Sequence, residues 1–527
     1  MVEGGRRPCD DHRVHDPSRL DEANTGYGCE HPGTGIAAVP GGARMSWLRP
    51  GPLWKSRNDR LVRLLGDPTD DMRREWVRRL DTQRGPDPAR LVDRFAGRDA
   101  IAVALLGDPG EGDASQYCVV PVLQRVAGDT DLAVVVSDVI YPAGGLREYA
   151  AKHARPYADY PGPIYGLPGN HDWYDGLTGF MSWFCGIPPE ERAPAVPGTG
   201  WNAFLRGLLW RRGPRGRTAD LEAARAWRPA ERQRALQPGP YCAIDAGPVR
   251  LVLIDTGIRG GLDRDQGEWL RDTLFAAGRP TVVLTGKPLI TYAEHHPCPI
   301  EGGGTVAELV RDPRASVVAV IGGDDHNYQR YPVRLADGRE ILHLVAGGSG
   351  AYLSATHPVP NVDVLVPECS EEGFRCYPLR GDSLAHFSRR YDALRRFGTG
   401  TAVVSPADAT TIMAERIGIA PPRTGTPPAE ISPRARRAAE RVLGGPKGRS
   451  ENWTSMLYDT DRPPMLKSFL RLDATAGDSP EIRIDCWAAT GCLAQERDPV
   501  LEDRIVARPG ADGRWRWTSA TPGRERP

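Results

Sequence analysis

Six short apolar runs, at 101–106, 132–136, 164–167, 250–254, 281–284 and 317–321, constrain this chain more than any other feature. They are rich in Val, Ile, Leu and Ala, the pattern of strands buried on both faces. Loops or helical patterns separate them, among them Asp263-x-Asp265-Gln266-x-x-Trp269-Leu270-x-x-x-Leu274, whose apolar residues recur at helical spacing. Strands alternating with helices predict an α/β domain over 99–355. No run approaches the ~20 residues of a membrane span, so none is expected.

Five of the six runs lead into a polar residue or glycine at nearly the same offset: Asp108, Asp138, Asn170 with His171, Gly286, and Asp324 with Asp325 and His326. Sheets of this class place ligands at the carboxyl ends of strands, so these residues are expected to meet in one crevice. Singly, each is an ordinary turn residue. As a set, Asp, Asn and Tyr oxygens with His nitrogens suit iron, manganese or zinc, as one ion or two. A pair ~3.5–4 Å apart clamps the attacking and leaving oxygens of a phosphoryl transfer.

The segments Gly107-Asp108, Ser137-Asp138-x-x-Tyr141, Gly169-Asn170-His171-Asp172 and Gly323-Asp324-Asp325-His326-Asn327, followed by the 345–350 run VAGGSG, resemble the calcineurin-like metallophosphoesterases. Within them the purple acid phosphatase branch is the nearest in pattern, and the resemblance covers about 101–350. It implies a sandwich of two β-sheets flanked by helices. It also implies hydrolysis of a phosphate monoester or diester by metal-activated hydroxide. The first metal would be held by Asp108, Asp138, Tyr141 and His326. Asp138 would bridge to a second ion that Asn170 also binds. His171 would steady the phosphoryl group or protonate the leaving oxygen, with Asp172 orienting it. Many relatives carry a His two residues after the first Asp, where this chain has Gly110; Tyr141 stands where the purple branch places its tyrosine ligand.

Two departures fall on the second metal: Gly286 and Asp324 occupy positions where the family has histidines. Three readings follow. Asp324 and His296, or its neighbour His295, replace the lost ligands. Alternatively one metal suffices, and Lys287 supplies the missing positive charge to the phosphate. In the third, catalysis is lost and a module binding a phosphorylated ligand or partner remains. Lys287 is one of only five lysines beside 63 arginines.

Lys and Arg together number 68, as do Asp and Glu. That balance argues against a bulk nucleic-acid or anionic-membrane binder and leaves a phosphorylated small molecule as the expected partner; the oligomeric state stays open. Ten cysteines without a C-x-x-C pair predict reduced thiols and a cytoplasmic location. Residues 1–44 show no hydrophobic period and read as a disordered tail or a mis-assigned start with Met45 the true one; Cys9, His12, His15, Cys29 and His31 fit no zinc spacing. A helical lead-in is expected over 45–98, from Met72, Trp76 and Leu80 on one face and a second short helix around 89–95. The Trp- and Arg-rich insertion at 173–241 reads as a subdomain packed on the core with a solvated basic loop. A loop-rich segment with helices near 383–397 and 431–451 fills 356–452. Alternating residues over 453–527 predict an antiparallel β extension.

Overall fold

The computed structural model describes residues 29, 31–42, 44–47, 49–196, 200–211, 213–396, 398–418, 430–443, 463–494 and 499–520. All six apolar runs are strands, three in each of two sheets. One sheet has seven strands in the order Trp515–Ser519, Val500–Pro509, Glu481–Ala489, Lys467–Thr475, Ala100–Gly107, Leu132–Val136 and Ile164–Leu167. The other has eight, ordered Leu91–Val92, Cys242–Ala246, Val249–Ile254, Thr281–Thr285, Val317–Gly322, Glu340–Ala346, Tyr328–Arg334 and Arg375–Tyr377. Within each sheet the strands built from the six runs pair in parallel, so their carboxyl ends point the same way.

Both faces of each sheet are covered, which explains the unbroken apolar runs. Val103 and Leu105 pack between the sheets with Val134, Leu253, Leu284 and Leu344. Their neighbours Ala104 and Leu106 face the other way, toward helices that contribute Val122, Leu123 and Trp76. The helix Thr69–Arg84 buries Met72, Trp76 and Leu80 as the spacing predicts. It is pinned by the wholly buried Arg73, which donates from Nε to Asp255 (2.8 Å) and from Nη1 to Asp263 (2.6 Å). Removing either partner would leave a buried charge uncompensated, so this knot fixes where the helix sits.

Several expectations need correction. No helix forms around 89–95: Leu91–Val92 is an edge strand paired with Ala243 and Ile244. A two-residue strand lies below what periodicity can register. The antiparallel strands expected at 453–527 are present, and they join the main sheet: Lys467–Thr475 lies antiparallel against Ala100–Gly107, and four of the seven strands come from this region. Cys29 and Cys492 form a disulfide across 463 residues, while Cys118, Cys185, Cys242, Cys298, Cys369, Cys376 and Cys486 are free and buried. Spacing along the chain cannot reveal a pair so far apart. The bond also removes the ground on which a reducing compartment was expected.

The amino-terminal segment is not simply a tail. His31 and Gly33 hydrogen-bond to the backbone of Cys492 and Gly491, and Ala37 to that of Tyr117. Residues 1–28 lie outside the described part of that expectation. Among the described residues, no helix is long and apolar enough to cross a membrane.

Candidate active site

The carboxyl ends of the parallel strands meet at a cavity of about 940 Å3, lined among others by Asp138, Asn170, His171, Lys287, Asp324 and His326. Asp108 lies directly behind it, wholly buried. Asp108, Ser137, Asp138 and Asp324 all adopt positive φ (53°, 71°, 36° and 69°), a region costly for residues with a Cβ. Four such residues within one site mark a backbone held in place by its surroundings. Asp108 is packed tightly enough that a Cβ on Gly347 would lie 2.5 Å from its Oδ2.

Tyr141 is the centre of the cluster. Its hydroxyl lies 2.8 Å from Asp138 Oδ2, 3.0 Å from His326 Nε2 and 3.4 Å from Asp108 Oδ1. His326 Nδ1 is 2.8 Å from the Tyr352 carbonyl, which only accepts, so the ring proton sits on Nδ1 and Nε2 presents its lone pair to the cluster. Burial, with the Lys467 ammonium adding, pushes the His326 imidazole down to about 3 and keeps it neutral. One phenolic hydrogen thus faces three acceptors. Burial first, then repulsion from Asp138 and Asp324, drives the Asp108 carboxyl well above its ordinary range. Burial likewise raises Asp138.

A cation resolves this excess of acceptors. Among the described residues, no group of three or more His, Cys, Asp or Glu side chains is arranged by itself to hold a metal ion. The set that does converge is centred on a tyrosine. Its distances of 2.8–3.4 Å run from the Tyr141 hydroxyl to the other three groups, and carboxylate, phenol and imidazole are donor types that iron, manganese or zinc accept.

The other half of the site differs. Lys287 Nζ lies 2.6 Å from Asp324 Oδ2, so the carboxylate expected to bind a second ion is already paired with an ammonium. Burial alone would lower the Lys287 pKa, but Asp324, aided by Asp138 and Asp325, outweighs it and the net shift is upward. Asp324 moves down in return: its burial is offset by Lys287. Asn170 donates from Nδ2 to the Tyr174 hydroxyl (2.8 Å), while its buried Oδ1 has no partner, an acceptor suited to a cation or a water O–H. At Gly286 a Cβ would come 2.8 Å from Thr256 Oγ1 and 3.2 Å from the Pro168 carbonyl, which leaves little room for an imidazole. At Gly110 a Cβ would fall 2.0 Å from the Val139 carbonyl, so no side chain fits there.

Of the two candidate replacements, only His296 lines the cavity. His295 is exposed in a short hairpin against Ile290 and does not line the cavity. His296 reaches the cavity rim but is exposed there, while Asp324 is occupied by Lys287.

Asp172 also needs correction. Its buried Oδ2 accepts the backbone N–H groups of Val139 (3.0 Å) and Gly169 (3.1 Å), stapling the two metal loops together. The His171 ring is oriented instead by the Pro142 carbonyl, 3.0 Å from Nδ1, which directs Nε2 away from that loop. The His171 backbone N–H donates to Asp138 Oδ1 at 2.8 Å. Three neighbours were missed. Trp47 packs edge-on against His171 and Tyr352 at 5.3 and 5.9 Å and donates its indole N–H to Glu111. Tyr352 holds His326 by its carbonyl and its ring. Only Tyr174, four residues after Asn170 on one helical turn, had a readable signal.

No family model and no curated protein matches the chain. Among solved structures, it is similar to a purple acid phosphatase, PPD1, isolated from yellow lupin (Lupinus luteus) seeds. The identity is 15%, over 49% of this chain and 46% of that one, with a TM-score of 0.33. The chain thus spans less than half the length of that phosphatase. It is also similar to PhoD (11% identity, 81% of this chain and 73% of that one, TM-score 0.40). A third likeness is to GAP50, the anchor in the inner membrane complex of Plasmodium (11%, 49% and 74%, TM-score 0.31). At these scores the likenesses bear on neither substrate nor mechanism. The chain's own two sheets form an α/β sandwich with the motif loops at the carboxyl ends of its parallel strands, the architecture that the motif resemblance implied.

Proposed function

We propose that the chain hydrolyses a phosphate ester with a single transition-metal ion, and that Lys287 takes the electrostatic place of a second. The observation that carries this reading is the asymmetry of the site: four donors converge on one point, while 2.6 Å separates an ammonium from the carboxylate expected on the other ion. Asp108, Asp138, Tyr141 and His326 would hold iron, manganese or zinc. Such an ion, when bound, supplies Lewis acidity and lowers the pKa of a water it binds. Lys287 neutralises a non-bridging phosphate oxygen, and preorganised charge of this kind needs no rearrangement as the transition state forms. His171, its Nδ1 fixed on the Pro142 carbonyl, offers Nε2 to steady the phosphoryl group or to pass a proton to the leaving oxygen.

The test is elemental analysis of the purified chain after loading with manganese, zinc or iron, coupled to turnover of p-nitrophenyl phosphate and bis(p-nitrophenyl) phosphate. One ion per chain with turnover is the expected result. Two ions per chain would overturn the single-metal reading. A bound ion without turnover on either ester would favour a phospho-ligand binding module.

A further inference from the structure

Large apolar side chains stand off one face of this protein. The helix Trp201–Leu209, in the Trp- and Arg-rich insertion, buries none of its residues. Trp201, Phe204 and Leu208 recur on one face and are 71%, 60% and 70% exposed, with the Trp201 and Phe204 rings stacked at 5.6 Å. An amphipathic surface helix normally turns its apolar stripe inward; this one turns it to solvent. The helix is not loose, since Arg206 Nη1 donates to the carbonyls of Leu65 (3.0 Å) and Gly66 (3.2 Å). Those carbonyls end the helix Asn58–Leu65, whose Leu64 is 77% exposed, and the preceding helix Pro50–Lys55 exposes Trp54.

The charge on these segments is mostly positive. Segments 49–65 and 201–209 carry Arg49, Lys55, Arg57, Arg60, Arg63 and Arg206, with Asp59 their single carboxylate, paired to Arg63 (3.0 Å), while Lys55 pairs with Glu148 (3.4 Å). The Arg57 guanidinium lies 4.1 Å over the Trp54 ring. Balanced total charge, which as an average argues against an anionic surface as partner, conceals this local excess. Protruding Trp, Phe and Leu among arginines are the composition of segments that lie in the headgroup layer of a membrane.

The geometry points to this face docking on an anionic lipid bilayer, with Trp54, Leu64, Trp201, Phe204 and Leu208 entering the interface and the arginines meeting lipid phosphates. Asp59, Arg60 and Arg63 of the same helix also line the cavity, so docking brings the mouth of the site to the headgroup layer. Cosedimentation of the full chain with phosphatidylcholine vesicles, with and without phosphatidylglycerol, tests it. The wild type should bind only vesicles containing phosphatidylglycerol and should release them when salt is raised to ~0.5 M. The variant Trp54→Glu, Phe204→Glu should lose about tenfold or more in partitioning while keeping the wild-type circular dichroism spectrum. Leu236→Glu, exposed elsewhere, should bind as the wild type does. Absence of wild-type binding overturns the proposal, as does an equally bound double variant. So does a concentration-dependent dimer that the double variant abolishes without any vesicle binding, because the face would then join two copies of the chain. The readout needs neither metal nor turnover, so it stands or falls apart from the phosphoesterase reading.

Discussion

The two halves of the site solve the same electrostatic problem differently. On one side Asp108, Asp138 and His326 crowd acceptors around the single phenolic hydrogen of Tyr141, an arrangement that a bound cation would relieve. On the other, Asp324 has its cation built in, as Lys287 at 2.6 Å. A metal ion can be removed and exchanged; an ammonium on a side chain cannot. Where the resembling family has histidines, this chain has Gly286 and an Asp324 paired with the neighbouring Lys287, so one half of the site carries its counter-charge on a side chain.

The sharpest way to break this comparison is Asp138→Ala, which removes a donor from the metal half and the acceptor for the His171 N–H. Metal content and turnover should both fall to background, read by elemental analysis and steady-state kinetics. His171→Ala comes next, lowering kcat by ~10²–10⁴ while the metal stays bound; loss of metal in this variant would place His171 in the wrong role. Lys287→Ala should then cost ~10²-fold in kcat/KM, chiefly through KM, with metal stoichiometry unchanged. An unaltered KM would remove Lys287 from the phosphate site. Asp172→Asn should have the smallest effect on catalysis. It weakens the staple between the loops and lowers stability by ~1–3 kcal/mol, read as a shift in thermal midpoint, with the shape of the pH-rate profile unchanged.

The convergence of Asp108, Asp138, Tyr141 and His326 was legible because each follows a buried strand or lies within a few residues of one, and strand ends point to one place. Tyr141 entered through the resemblance, which has a tyrosine three residues after this aspartate. The lysine half was legible only as a set of alternatives. Weighing them required knowing that His295 lies in an exposed hairpin, that His296 lines the cavity and that Lys287 pairs with Asp324, all of which depend on tertiary packing. Trp47 and Tyr352 were invisible for another reason: they act through ring edges and a backbone carbonyl, and any sequence can supply a carbonyl. The strands at 467–475 and 481–489 announced themselves by alternation, but alternation names a face, not a partner. Their pairing with Ala100–Gly107 emerges only when the sheet closes. The local crowding of arginine on the helices at 50–65 was likewise averaged away by a net charge of zero.

Gly110 and Gly286 bear on how this site could change in future. At position 110 even a Cβ meets the Val139 carbonyl at 2.0 Å, a backbone atom that cannot swing aside; at position 286 the nearest atom is the Thr256 Oγ1 at 2.8 Å, with the Pro168 carbonyl at 3.2 Å. Gly110 belongs to the Asp108 loop, so a histidine there would serve the first ion and would have to move that loop. A histidine at 286, where the resembling family has a ligand of the second ion, would have to displace the Thr256 hydroxyl. If one ion suffices, as proposed, gaining a second would therefore demand at least two changes at once, one at 286 and one at Thr256.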